Sequence, residues 1–97
     1  MATSRALIIE QTLRRQLDAA HVEVVDDSAR HADHLGAEGG RGHFRVVVVS
    51  DRFAGLGRVE AQRLVYRALG SLMTTDVHAL EMQTFTPAAW ATAQPQR

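Results

Sequence analysis

The stretch Phe44-Arg45-Val46-Val47-Val48-Val49 decides the fold of this chain of 97 residues. β-Branched residues favour extended backbone, and this run is almost continuously apolar. Such a pattern is typical of a strand that is covered on more than one side. The run therefore predicts the strongest strand of the chain.

The residues before this strand predict a helix and a further strand. Arg5 to Ala20 carries apolar residues at steps of three and four, which indicates an amphipathic helix. His21 to Asp27 alternates apolar and polar residues, as a half-buried strand does. Ser28 to His43 then contains four of the seven glycines and three of the five histidines. A connection this long in a small domain is usually functional or disordered.

The residues after the strand predict two helices and a third strand. Ser50 to Gly55 breaks the strand, and Thr86-Pro87 is a helix-start signal. The predicted elements are a helix over Arg58 to Leu72, a turn at Thr74-Thr75-Asp76, a strand over Val77 to Phe85, and a short helix carrying Trp90.

This order, α-β-β-α-β-α, predicts an α+β fold in which helices pack on a small mixed three-stranded sheet. The first two strands are joined by the Gly-rich loop and are expected to be antiparallel. The helix between the second and third strands is a right-handed crossover, so those strands are expected to be parallel. We expect one domain over residues 1–90 and a disordered tail over residues 91–97.

Composition excludes several classes of function. The chain has no cysteine, which excludes disulfides, Cys-ligated zinc, a thiol nucleophile and an iron–sulfur cluster held by this chain alone. Eleven basic residues balance eleven acidic ones, which argues against a protein whose main function is to bind the phosphates of nucleic acids. No membrane-spanning or secretory segment is expected, so we expect a cytoplasmic protein. No catalytic signature is found, and an enzyme is not expected.

The histidines and arginines are the remaining candidates for chemistry. Imidazole is a ligand for zinc, copper, nickel and iron, so His31 and His34 offer a loop metal site, although spacing alone favours solvated side chains. On pattern alone, His78 is a partly buried residue at a strand end. Arg63 and Arg67 share one helix face, which favours a solvated surface over a grip on DNA phosphates.

Several motifs together resemble the BolA family. They are Glu23-Val24-Val25-Asp26-Asp27-Ser28, His31, His43 to Phe53, Gly55, Arg63-Leu64-Val65-Tyr66, Val77-His78-Ala79-Leu80, Gln83-Thr84, Thr86-Pro87 and Trp90. The resemblance extends from the first helix to Trp90. It implies a fold like that of the class II KH domain, in agreement with the element order.

The resemblance also implies a function. BolA proteins form heterodimers with monothiol glutaredoxins, and one form of the complex shares a [2Fe–2S] cluster that also uses glutathione. In this chain the implied ligands are His78 and His31. The resemblance further implies roles in iron–sulfur trafficking or iron regulation. The alternative that it implies is a DNA-binding regulator of morphology and stress response, for which Arg52, Arg63 and Arg67 are the candidate contacts.

Two stretches depart from the family pattern. The usual Arg-His-Arg of the middle helix is Ala61-Gln62-Arg63 here. The loop after His31 is longer and richer in glycine, so His34 is an alternative loop ligand.

Overall fold

A computed structural model of the chain describes residues 4–27 and 42–93. Its elements follow the predicted order, with one additional short helix. They are α1 (Arg5–Leu17), β1 (His21–Asp26), β2 (Gly42–Val49), a 3-10 turn (Asp51–Phe53), α2 (Arg58–Leu69), α3 (Leu72–Thr75), β3 (Val77–Phe85) and α4 (Pro87–Ala93). None of the described helices is long and apolar enough to cross a membrane.

β2 is the middle strand of a three-stranded sheet. It pairs antiparallel with β1 on one edge and parallel with β3 on the other. The prediction of a small mixed α+β sheet is therefore confirmed. The strand begins at Gly42, two residues before the apolar run.

One face of the sheet, here called the covered face, packs against α1 and α2. Phe44, Val46 and Val48 alternate along β2 and enter the main core. The helices contribute side chains from successive turns, as the apolar spacing predicts. These side chains are Ile9, Leu13 and Leu17 of α1 and Ala61, Val65 and Leu69 of α2. The opposite face, here called the open face, carries exposed Glu23, Arg45 and Glu81.

Two helix ends differ from the prediction. α1 ends at Leu17 and not at Ala20, because Asp18 adopts a left-handed conformation with φ of 50°. α2 ends at Leu69, because Gly70 has φ of 56° and closes the helix. The predicted turn at Thr74-Thr75-Asp76 is confirmed at Asp76 alone, because Thr74 and Thr75 belong to α3. Propensity alone did not reveal that the chain forms one more helical turn after Gly70.

α4 packs on one end of the open face. The ring of Trp90 stacks on His21 at a centroid distance of 5.2 Å and contacts Phe85 at 5.1 Å. Val49 pairs with His21 of β1 and with Phe85 of β3, and it is buried between them. The helix continues to Ala93, three residues beyond the predicted end of the domain, and residues 94–97 lie outside the described part of the chain.

Ser50 joins α1, β2 and β3 where the central strand ends. Its hydroxyl donates to the carbonyl of Leu17 at 2.6 Å and accepts from the N–H of Arg52 at 3.0 Å. Its own N–H donates to the carbonyl of Phe85 at 2.9 Å. Because Ser50 is fully buried, losing the hydroxyl leaves a carbonyl without its hydrogen bond inside the protein.

We therefore expect Ser50→Ala to lower the free energy of unfolding by about 1–3 kcal/mol. Chemical denaturation measures the loss. Ser71→Ala is the matched control, because the Ser71 side chain is exposed and makes no capping hydrogen bond; its effect should stay within about 0.5 kcal/mol. Equal stability of the two variants would contradict this account.

Candidate functional site

The two ends of the Gly-rich loop are fixed at one end of the sheet. The N–H of Asp27 donates to the carbonyl of His43 at 2.8 Å, and the N–H of Gly42 donates to the carbonyl of Asp76 at 3.0 Å. The chain therefore leaves β1 and re-enters β2 beside the start of β3. We call this end, formed by Asp27, Gly42, His43, Asp76 and the backbone of His78, the histidine corner.

One residue of β3 has no counterpart in β2. Gly42 pairs with Val77, but the next residue of β2, His43, pairs with Ala79. The backbone of His78 is therefore a β-bulge. Bulges are rare between parallel strands, and they occur next to functional sites, where they change the direction of a side chain. The sheet is irregular at the histidine that the sequence singles out.

A charged pair lies beside the bulge on the open face. Nε of Arg45 donates to Oδ2 of Asp27 at 2.6 Å, and the carboxylate of Asp27 is largely buried. A shallow hollow of about 100 Å³ lies between this pair, His43 and Ala79. The corner thus combines main-chain hydrogen bonds, a charged pair and a small surface concavity.

Asp76 connects three segments at the corner. Its carboxylate accepts from the Thr75 hydroxyl and from Nε of Arg5 at 3.1 Å, while its carbonyl accepts from Gly42. The Thr75 hydroxyl, and then the Arg5 guanidinium, hold the pKa of Asp76 below its usual value of 3.8, against the opposing effect of partial burial. The carboxylate is therefore ionised at neutral pH.

The predicted loop ligands, His31 and His34, lie outside the described residues. The candidate DNA contacts do not share one element, since Arg52 lies in the 3-10 turn while Arg63 and Arg67 lie on α2. All three arginines are exposed. Of the predicted site residues, only His78 is placed at the corner by the described backbone.

Comparison with known proteins identifies the family. The family model described as "BolA-like protein" matches residues 13–89. The chain belongs to the BolA family. Among its relatives is the protein named DNA-binding transcriptional regulator BolA of Escherichia coli, with 42% identity over 84% of this chain and 75% of that protein.

Another relative is a longer protein that is named after SufE and contains a BolA domain. The SufE-like protein 1 of Arabidopsis thaliana is 37% identical over 88% of this chain, which spans 24% of that longer protein. The solved BolA domain of SufE1 from the same plant superposes with a TM-score of 0.77 and 36% identity, covering 91% of this chain and 98% of that domain. The BolA fold that the motifs imply is thus confirmed.

The sequence contains one indication of the bulge, which the prediction of a regular alternating strand over Val77 to Phe85 missed. Val77 and Leu80 are both apolar and three residues apart, whereas a regular strand would place them on opposite faces. Both contribute to the core, because the bulge shifts the alternation by one residue. The link between Arg5 and Asp76, 71 residues apart, had no comparable signal in the sequence.

We expect Asp76→Asn to lower the free energy of unfolding by about 0.5–1 kcal/mol at pH 7. The folded-state pKa of Asp76 lies below the unfolded one, so the carboxylate stabilises the fold fully above pH 3.8. This contribution disappears as the pH falls through the folded-state pKa. Denaturation at pH 7 and pH 3 measures the difference.

Thr75→Val should cause most of the same stability loss at pH 7 and little loss at pH 3, because the Thr75 hydroxyl is the largest cause of the lowered pKa of Asp76. A stability loss in Asp76→Asn that is the same at pH 3 and pH 7 would show that the charge of Asp76 does not stabilise the fold.

Proposed function

We propose that this BolA-family chain is a non-enzymatic adaptor that binds a monothiol glutaredoxin and shares a [2Fe–2S] cluster with it. The observation that carries the proposal is the β-bulge at His78, beside both ends of the loop that bears His31 and His34. The likeness to the BolA domain of SufE1 supports a role connected with iron–sulfur proteins.

The metal-binding side chains of this chain fit a cluster that is shared with a partner protein better than one that this chain holds alone. The chain has five histidines and no cysteine, so it offers imidazole nitrogen and no thiolate. Clusters that carry imidazole on one iron are known, and the substitution raises their reduction potential. The thiolates must then come from the glutaredoxin and from glutathione bound to it.

His78 is the first ligand in this proposal, and a residue of the loop is the second. The bulge removes the His78 backbone from the regular pairing of β2 and β3, which suits a residue that must reach a partner protein. His31 is the loop ligand that the family motif implies, and His34 is the alternative. The fixed ends at Asp27 and Gly42 keep this loop attached at the corner.

When bound, the cluster supplies iron that can be transferred or sensed. The role of this chain is to bind one iron of the cluster through imidazole nitrogens, for which protons compete with the metal. Imidazole binds iron only when neutral, so protons compete with iron for the ring nitrogen and acid weakens its hold. We place the protein in the cytoplasm, where a reducing glutathione pool is maintained.

His78→Ala is expected to abolish the distinctive visible spectrum of the mixed complex without unfolding the chain. The spectrum should differ from that of the glutaredoxin homodimer, because nitrogen replaces sulfur on one iron. The measurement mixes the chain with a monothiol glutaredoxin, glutathione, iron and sulfide, and records absorption and circular dichroism.

His21→Ala is the matched control, because His21 pairs with Val49 at the opposite end of the sheet. His31→Ala should have a smaller effect than His78→Ala, since His34 is three residues away. An unchanged spectrum in His78→Ala would refute the ligand assignment. Association with the glutaredoxin would then be a contact between proteins without shared metal.

DNA binding is the second candidate function. It is supported by the exposed Arg63 and Arg67 on one face of α2, with the exposed Tyr66 beside them. No ion pair involves either arginine within residues 4–27 and 42–93. The relative named a DNA-binding transcriptional regulator supports the same candidate.

We expect duplex DNA to bind with a Kd of roughly 10⁻⁴–10⁻⁶ M at physiological salt, because the net charge is zero. Arg63→Ala/Arg67→Ala should weaken binding and reduce the salt dependence by about two phosphate contacts. Fluorescence anisotropy against salt measures both. Submicromolar binding to one duplex, with much weaker binding to a shuffled one, would make DNA the primary ligand.

A further inference from the structure

The outer edge of β3 pairs with no other strand in the part of the chain that the structure describes. The strand order is β1-β2-β3, so β3 is an end strand of the sheet. The carbonyl of Phe85 points toward β2, because it accepts from the N–H of Ser50. Main-chain groups of successive strand residues point in opposite directions, so those of Leu80, Met82 and Thr84 point outward. Such an edge is a template for pairing with another strand.

Open space lies on both sides of this edge at Met82 and Gln83. One hollow, of about 410 Å³, lies between β3, the start of α2 and α4, and its wall includes Leu56, which is 39% exposed. The other hollow, of about 430 Å³, lies on the open face. Met82, Gln83 and Arg58 line both hollows. A strand added at this edge would therefore meet an apolar side chain and a guanidinium as well as main-chain groups.

Two charged side chains flank the edge. Arg58 is exposed at the start of α2, and Glu81 is exposed on β3. Neither forms an ion pair with another residue in the ranges 4–27 and 42–93. Arg58 is moreover the first residue of its helix, where the partial positive charge of the helix end disfavours a cation. A partner strand that supplies a carboxylate beside Arg58 would stabilise this arrangement.

A second copy of this chain supplies that carboxylate if its β3 runs antiparallel to the first, with Met82 opposite Met82. Glu81 of each copy then lies opposite Gln83 of the other copy, beside Arg58. A twofold axis relates the two copies, so the contact occurs twice. A register with Glu81 opposite Glu81 would place like charges together, which is unfavourable. The charges thus favour the register centred on Met82.

We propose that the outer edge of β3 is a self-association surface, at which two copies of this chain join their three-stranded sheets into one continuous sheet. The paired edges supply main-chain hydrogen bonds, and Arg58 of each copy forms an ion pair with Glu81 of the other. This inference is independent of the proposed function, because it uses no metal ligand. One pair of strands buries less surface than a stable dimer does, so we expect a Kd of roughly 10⁻⁵–10⁻³ M.

The test reverses each charge and then mixes the two variants. Like charges face each other across the edge in Arg58→Glu alone and in Glu81→Arg alone, so each variant should self-associate about tenfold more weakly than the wild-type chain. Mixed in equal amounts, the variants should form a heterodimer with about the wild-type affinity, because both contacts then join opposite charges. Sedimentation equilibrium at increasing concentration measures each Kd.

Arg15→Glu is the matched control, because Arg15 is an exposed arginine of α1 that lines neither hollow, and its Kd should equal that of the wild-type chain. Mixing also controls for folding, since a misfolded variant could not be rescued by its partner. A wild-type chain that stays monomeric up to about 10⁻³ M would overturn the proposal and leave the edge to solvent or to a strand of another protein. A mixture that associates no better than its separate components would also overturn it, because the association would then use another surface.

Discussion

Pairing of β2 along both of its edges is the constraint on which the rest of the molecule depends. β1 runs against β2 and β3 runs with it, so β1 ends, β2 begins and β3 begins at the same end of the sheet. The histidine corner is a consequence of this topology. In the proposed function, His78 and the loop ligand come from separate parts of the chain, and the sheet joins the described ends of those parts through main-chain hydrogen bonds.

The two ends of the sheet are stabilised by different interactions. At the end away from the corner, Trp90 stacks on His21 and contacts Phe85, and the buried Ser50 joins α1 to β3 where β2 ends. At the corner, the contacts are hydrogen bonds and ion pairs centred on Asp27 and Asp76. Aromatic contacts and the buried hydrogen bonds of Ser50 thus fix one end, while ion pairs and main-chain hydrogen bonds join the segments at the end to which we assign the chemistry.

Much of this architecture could be predicted from the sequence. The run Val46 to Val49 predicted the central strand, and the helix between β2 and β3 predicted their parallel pairing. Helix ends were predicted less well, because Asp18 and Gly70 adopt left-handed φ values in a context that propensity does not describe. The approach of Arg5 to Asp76 could not be predicted, since it joins residues 71 positions apart in the sequence that meet only in the folded chain. For the site, motifs singled out His78, whereas the bulge that distinguishes it depends on the register with β2.

The most direct test of the central claim asks whether nitrogen from this chain binds iron. Pulsed electron paramagnetic resonance of the reduced mixed complex, prepared from a ¹⁵N-labelled chain and an unlabelled glutaredoxin, detects ¹⁵N nuclei bonded to the cluster. The account predicts a strong ¹⁵N coupling of the kind that imidazole ligands give, and its loss in His78→Ala. A complex that forms its cluster without any strong ¹⁵N coupling from this chain would contradict the account.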